Sequence, residues 1–226
     1  MTKTLADLAE SAYVTGAYDK AEKMYAELLE DKDVSADPGA EDSLFFRHMR
    51  GVCLKKLGKF DEAIQLLDAV RLERLKLGAL RDAYNSQHHV LICRRLMGQL
   101  DEAESANRRL LEEQSSLLGP EHEDCIATEI EIGRCLFDRG DVHAADAWFA
   151  DLHAKSERVL GNHAYRWVVL GEMSQTLAHL GDTDRALPLC EASCAGLTGL
   201  LGAGHPASLR QQKYLAAMSA QAGGAK

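Results

Sequence analysis

Residues 57–63 read LGKFDEA, Leu57 to Ala63, and the same short phrase returns four more times: TGAYDKA at 15–21, MGQLDEA at 97–103, RGDVHAA at 139–145 and LGDTDRA at 180–186. Each carries a glycine (Gly16, Gly58, Gly98, Gly140, Gly181) followed five residues later by an alanine (Ala21, Ala63, Ala103, Ala145, Ala186), and the glycines lie 42, 40, 42 and 41 residues apart. Glycine tolerates the left-handed backbone that closes a helix at its C-terminus. The alanine, one turn into the next helix, lets two backbones approach. Asp61, Asp101, Asp141 and Asp182 fall where that second helix begins, at the positive end of its macrodipole. The phrase therefore predicts the turn of a helical hairpin, repeated five times.

A second mark runs out of phase with the first. It appears as LGALRD at Leu77–Gly78, LGPEH at Leu118–Gly119, LGNH at Leu160–Gly161 and LGAGHP at Leu201–Gly202, with spacings of 41, 42 and 41. Each of these marks ends a second helix and starts the next hairpin; the second helix near 18–31 has none. First helices are expected near 4–14, 41–57, 80–97, 122–139 and 163–180, and second helices near 18–31, 60–77, 100–117, 142–159 and 183–200. A last helix over 206–221 covers the open end, DKDVSADPGAED at 31–42 is a loop, and AGGAK at 222–226 is a frayed tail.

Composition agrees with an all-α chain. Of its 226 residues, 46% are hydrophobic and 27% charged, only four are proline and 6% are aromatic, while good helix formers dominate. Enough apolar side chain is present for a real core. The net charge of −9 argues against a general nucleic-acid binder, which needs a basic field for phosphates. Acidic residues come early, and no apolar run has the length of a signal peptide or membrane span, so the expected location is cytoplasmic. The six cysteines form no CxxC pair and are expected as reduced thiols. No HExxH, P-loop or nucleophile elbow is present, and no cofactor, metal or catalytic residue is assigned.

The Gly-to-Ala offset and the LGxxH(P) connector resemble tetratricopeptide repeats of the kinesin light chain-like, 42-residue class. The resemblance covers nearly the whole chain. It implies a right-handed α-solenoid of five helix-hairpin units, about 2–34, 41–78, 80–119, 122–161 and 163–202, with a capping helix at 206–221. These form one array over 1–221, since each unit needs its neighbour to bury an apolar face. It also implies that Cys53, Cys93 and Cys135, each five residues before a turn glycine, share one small-residue packing slot with Ser11 and Thr176. Cys190 and Cys194 lie four apart on one helical face, a spacing that can hold a metal, but Cys190 falls at a core position. His122, His163 and His205 belong to the connectors, where the ring caps or packs the next hairpin.

In this family the first helices line a concave groove. Carried over position by position, the resemblance implies a peptide-binding lining of Tyr13 in the first unit, then Phe45, His48, Val52 and Lys55, then Asn85, His88, Ile92 and Arg95. Ile130, Arg134, Phe137 and Asp138 follow from the fourth unit, and Gln175 and His179 from the fifth. Chaperone adaptors of this family clamp a terminal carboxylate with lysine and asparagine, but histidine and Val52 or Ile92 stand at those places here. Charge is segregated: residues 1–43 carry four Lys/Arg against eleven Asp/Glu, net −7, and residues 44–82 carry nine against five, net +4. The expected function is that of a protein-interaction module, scaffold or regulator binding a peptide or protein segment with acidic and apolar residues. The competing reading is an enzyme or small-ligand sensor built on the His/Arg-containing groove. Partners are expected to be neither nucleic acid nor membrane, and a homodimer through terminal helices is left open because Leu5, Leu8 and Ala12 of the first helix have no separate polar cap.

Overall fold

The structure is a computed structural model that describes residues 4–31, 34 and 36–224. Among these residues it is all helical: α1 (Leu5–Val14), α2 (Tyr18–Glu30), α3 (Glu41–Lys56), α4 (Phe60–Lys76), α5 (Leu80–Leu96), α6 (Leu100–Leu118), α7 (Glu123–Asp138), α8 (Val142–Leu160), α9 (Ala164–His179), α10 (Thr183–Leu201) and α11 (Pro206–Gly224). Helical backbone in α11 continues past the expected end at 221. The loop expected at 31–42 falls partly outside the described residues; within it Val34 and Ala36 are helical rather than loop, Pro38–Ala40 form a turn, and α3 begins at Glu41, inside the expected range. Residues 225 and 226 of the expected tail also lie outside.

The turn phrase closes helices as its glycines require. Gly58 has φ +77°; its amide donates to the Lys55 carbonyl, and the Lys59 amide donates to the Leu54 carbonyl. These two bonds satisfy the last orphan carbonyls of α3 in a Schellman motif. The other glycines of both marks share a positive φ. The five alanines one turn later are fully buried, where a larger side chain would force the hairpin apart. The connector histidines act as N-caps: the Nδ1 atoms of His122, His163 and His205 accept from the amides of Asp124, Tyr165 and Ala207 at 3.1, 3.3 and 3.2 Å. α1 starts with a capping box, Thr4 Oγ1 accepting from the Asp7 amide and the Asp7 carboxylate from the Thr4 amide.

The helices group into two compact units, Met1–Ala106 and Asn107–Lys226, with α6 contributing to both. In the first, Ala9, Tyr25, Phe46 and Cys53 form one apolar cluster over α1–α3, and Val52, Leu54, Leu67, Val90 and Cys93 form a second over α3–α5. In the second unit, Ile126, Ile130, Phe149, Leu152 and Val169 pack α7–α9, while Leu177, Ala186, Cys190 and Met218 pack α9–α11. Close approach is needed inside the hairpins: a Cβ on Gly133 would stand 2.5 Å from the Phe149 ring, and one on Gly51 would stand 2.7 Å from Leu67. Cys53, Cys93, Cys135 and Thr176 are all fully buried in their shared slot, and Cys190 is buried as well. Burial raises the Cys53 thiol to about 12 and Cys93 to about 11, so both stay protonated and behave as small apolar groups.

Candidate functional site

In the first unit the first-helix positions of α3 and α5 come together around a buried polar network. His48 is 6% exposed. Its Nδ1 lies 3.1 Å from Ser86 Oγ and 3.2 Å from Arg74 Nη1. Arg74 also donates to Ser86 Oγ at 2.8 Å and to the Asp82 carbonyl at 3.1 Å. Because a guanidinium can only donate, His48 accepts at Nδ1 and carries its proton at Nε2. Burial, then the charges of Arg74 and Lys55, push its pKa down to about 3. Beside it, the buried Lys55 ammonium donates to His89 Nδ1 at 2.9 Å. Burial, then Lys55 and His48, holds the His89 imidazole well below its ordinary value. The three rings form a chain, His48 to His89 at 5.4 Å and His89 to His88 at 5.6 Å between centroids.

Around this network lies the exposed part of the face. Phe45 is 42% exposed and stands on Tyr25 and Phe46, with ring centroids 6.5 and 5.8 Å away. Asn85 is exposed, while Tyr13, His88, Ile92 and Arg95 are half-buried. Val52, at 2% exposure, belongs to the core and not to a surface lining. A β-branched residue at that turn of α3 points between hairpins, where apolar area is best hidden.

In the second unit Arg134 is not a free groove cation. Its Nε donates to Glu172 Oε1 at 3.1 Å, a second guanidinium nitrogen reaches the same oxygen, and a third donates to Glu131. Arg210 Nη2 approaches Glu172 at 3.8 Å. Glu131 is 2% exposed, so Arg134 compensates carboxylates that could not be buried alone. Burial opposes the Arg134 charge, but Glu172 and then Glu131 outweigh it and raise its pKa. Ile130 is core, like Val52. Phe137 meets the exposed His179 edge-on, ring centroids 5.4 Å apart; Asp138 is exposed and Gln175 half-buried.

Arg74, Ser86 and His89 complete the first network, and Glu131 and Glu172 the second, without having been picked out by the repeat pattern. Arg74 comes from a second helix, which position-by-position transfer passes over. The Glu131–Arg134 pair was visible as an i,i+3 spacing; Glu172, 38 residues from Arg134, was not. Among the described residues no group of three or more His, Cys, Asp and Glu is placed to hold a metal ion, and no helix is long and apolar enough to cross a membrane.

Neither a protein-family model nor a curated protein sequence matches the chain. Solved structures do. The chain is similar to a putative kinesin light chain from Podosopora anserina made of nearly identical TPR-like repeats, at 20% identity and TM-score 0.62 over 86% of this chain and 93% of that one. It is also similar to the Rap conjugation gene regulator of plasmid pLS20 in complex with the Phr peptide, at 17% identity and TM-score 0.75 over 86% of this chain and 53% of that one. A Rap protein complexed with Competence and Sporulation Factor matches at 13% identity and TM-score 0.70, covering 95% of this chain and 63% of that one. At these identities the match establishes the fold: an all-α helical-repeat solenoid of TPR-like, kinesin light chain-like hairpins.

Proposed function

We propose that this chain is a protein-interaction module, and that the α3–α5 face of the first unit binds an extended peptide carrying carboxylates and spaced apolar side chains. The observation that carries the reading is Phe45. It is a large aromatic left 42% exposed and packed on two other rings, beside a face whose interior is cationic. Aromatic anchors of this kind supply most of the affinity in small interfaces. Arg95 and His88 would steer and orient carboxylates, with Asn85 hydrogen-bonding the peptide backbone and Ile92 adding apolar area.

Lys55 and Arg74 act from beneath, setting a positive potential, while the neutral His48 ties Arg74 and Ser86 together and fixes α3 against α5. The second unit offers Phe137, His179, Gln175 and Asp138 as a further contact face, with Arg134 as its support. The similarity of fold to Rap structures holding peptides supports this reading without supplying a partner. The histidines favour it over a catalytic one, because both His48 and His89 spend their acceptor nitrogens on cations and are not poised as bases near neutral pH.

The test is an array of labelled peptides with two to three carboxylates and apolar residues at varied spacing, read by fluorescence anisotropy. We expect binders whose Kd rises about tenfold or more in a Phe45→Ala, Asn85→Ala, Arg95→Glu variant of unchanged helicity. Equal binding by wild type and variant, or an array without binders, would overturn the assignment.

A further inference from the structure

The small-residue slot gives an internal measure of what each first helix is packed against. Cys53, Cys93, Cys135 and Thr176 fill it in α3, α5, α7 and α9 and are fully buried. Cys53, for example, lies in the cluster built by Tyr25 of the preceding α2. In α1 the slot holds Ser11, which is exposed. With Asp7, Glu10, Val14 and Thr15 it lines an open groove of about 490 Å³.

α11 is exposed on the other side. Its N-cap His205 corresponds to His163 of α9, so Met218 corresponds to Thr176, Ala216 to Ser174 and Lys213 to Gly171. Met218 is 4% exposed, its slot filled from the preceding hairpin. In α9, Ser174 Oγ donates to the Ala186 carbonyl of α10 at 2.9 Å, and Gly171 lies against Ser193 of α10. In α11 the corresponding Ala216 and Lys213 are exposed. Thus α1 shows the face that elsewhere meets a preceding helix, and α11 the face that elsewhere meets a following one.

The two faces are complementary in charge. α1 contains Asp7 and Glu10 and no basic residue; α11 contains Arg210 and Lys213 and no acidic one. Both add apolar surface, Leu8 and Val14 at 40% and 50% exposure on α1 and Leu209 at 43% on α11.

We propose that α1 of one copy packs against α11 of a second copy, a head-to-tail contact in which the exposed acidic and apolar face of α1 meets the exposed basic and apolar face of α11. Such a contact is heterologous and extends beyond a dimer unless it closes into a ring. The ten residues of α1 span only about 15 Å, below what a permanent interface needs, so the association is weak and sensitive to salt.

Sedimentation velocity of the full chain over a wide concentration range tests this. The weight-average mass should climb past that of a dimer at low ionic strength and fall back in about 0.5 M salt. A head variant (Glu10→Lys, Ser11→Arg) and a tail variant (Leu209→Gln, Lys213→Glu, leaving Arg210 beside Glu172) should each be monomeric with wild-type helicity. Mixed, they should form a 1:1 complex that grows no further, since one keeps a working tail and the other a working head. If a reversal unfolds its terminus, Val14→Gln and Leu209→Gln replace it, each weakening association several-fold. A wild type that stays monomeric at about 1 mM in low salt overturns the proposal. So does a dimer indifferent to either end's substitutions, or a mixture of head and tail variants that remains monomeric.

Discussion

His48 shows how one imidazole can tie stability to pH. In the folded chain its pKa is pushed down to about 3, first by burial and then by the charges of Arg74 and Lys55; protonation would bury a charge, place it 3.2 Å from Arg74 and lose the bond that Arg74 donates. In the unfolded chain it returns to about 6.5. Above pH 6.5 neither state binds the proton and the whole contribution of the neutral ring is present. As pH falls from 6.5 toward 3 the unfolded state takes up the proton first, so stability is lost by about 1.4 kcal/mol per pH unit. His89, lowered by burial and Lys55, adds in the same direction. We expect urea denaturation to show about 2 kcal/mol less stability at pH 5 than at pH 7 from His48 alone. A His48→Gln variant, less stable at pH 7, should lose about that much less across the same interval; identical losses in both proteins would remove His48 from the account.

At the scale of the element, the hairpins rest on small residues at points of close approach. Gly133 of α7 is a clear case: a methyl there would meet the Phe149 ring at 2.5 Å and Trp148 at 2.9 Å, within the apolar cluster of α7–α9. Gly133→Ala should therefore cost about 1–3 kcal/mol by overpacking, even though alanine is the better helix former by about 1 kcal/mol. Phe149→Leu in the same chain should recover part of the loss, and thermal melts of the single and double variants measure both. Most of this level was legible in the sequence. Local chemistry specifies helix ends, so the two marks located α3, expected at 41–57 and found at Glu41–Lys56, and α8, expected at 142–159 and found at Val142–Leu160. Side-chain direction was less legible. Val52 and Ile130 share first-helix positions with exposed residues in a generic repeat, but here they turn inward. Arg134 looked like a groove cation because its second partner, Glu172, enters from the next hairpin, and nothing local records that register.

For the whole molecule, a repeat architecture makes stability a sum over neighbours, so a lesion should be felt mainly where its neighbours are. The ion cluster of the second unit offers a strong lesion. Arg134→Ala would leave Glu131, 2% exposed, and Glu172 facing each other without their shared cation. Removing one partner from a buried pair costs about 3–5 kcal/mol. The surface-facing alternative is easily separated from this: a cation serving only a ligand could be removed with little change in stability. Native-state amide exchange reads the difference by position. In Arg134→Ala we expect α7 and α9 to exchange roughly 100- to 5,000-fold faster, while α1 to α4, held by their own clusters around Tyr25 and Leu67, stay close to wild-type rates. Arg134→Lys should fall between, because a single ammonium cannot reproduce the forked contacts to two carboxylates. Uniform acceleration through all helices would mean that the two compact units unfold as one cooperative body, and unchanged exchange in α7 and α9 would return Arg134 to the surface.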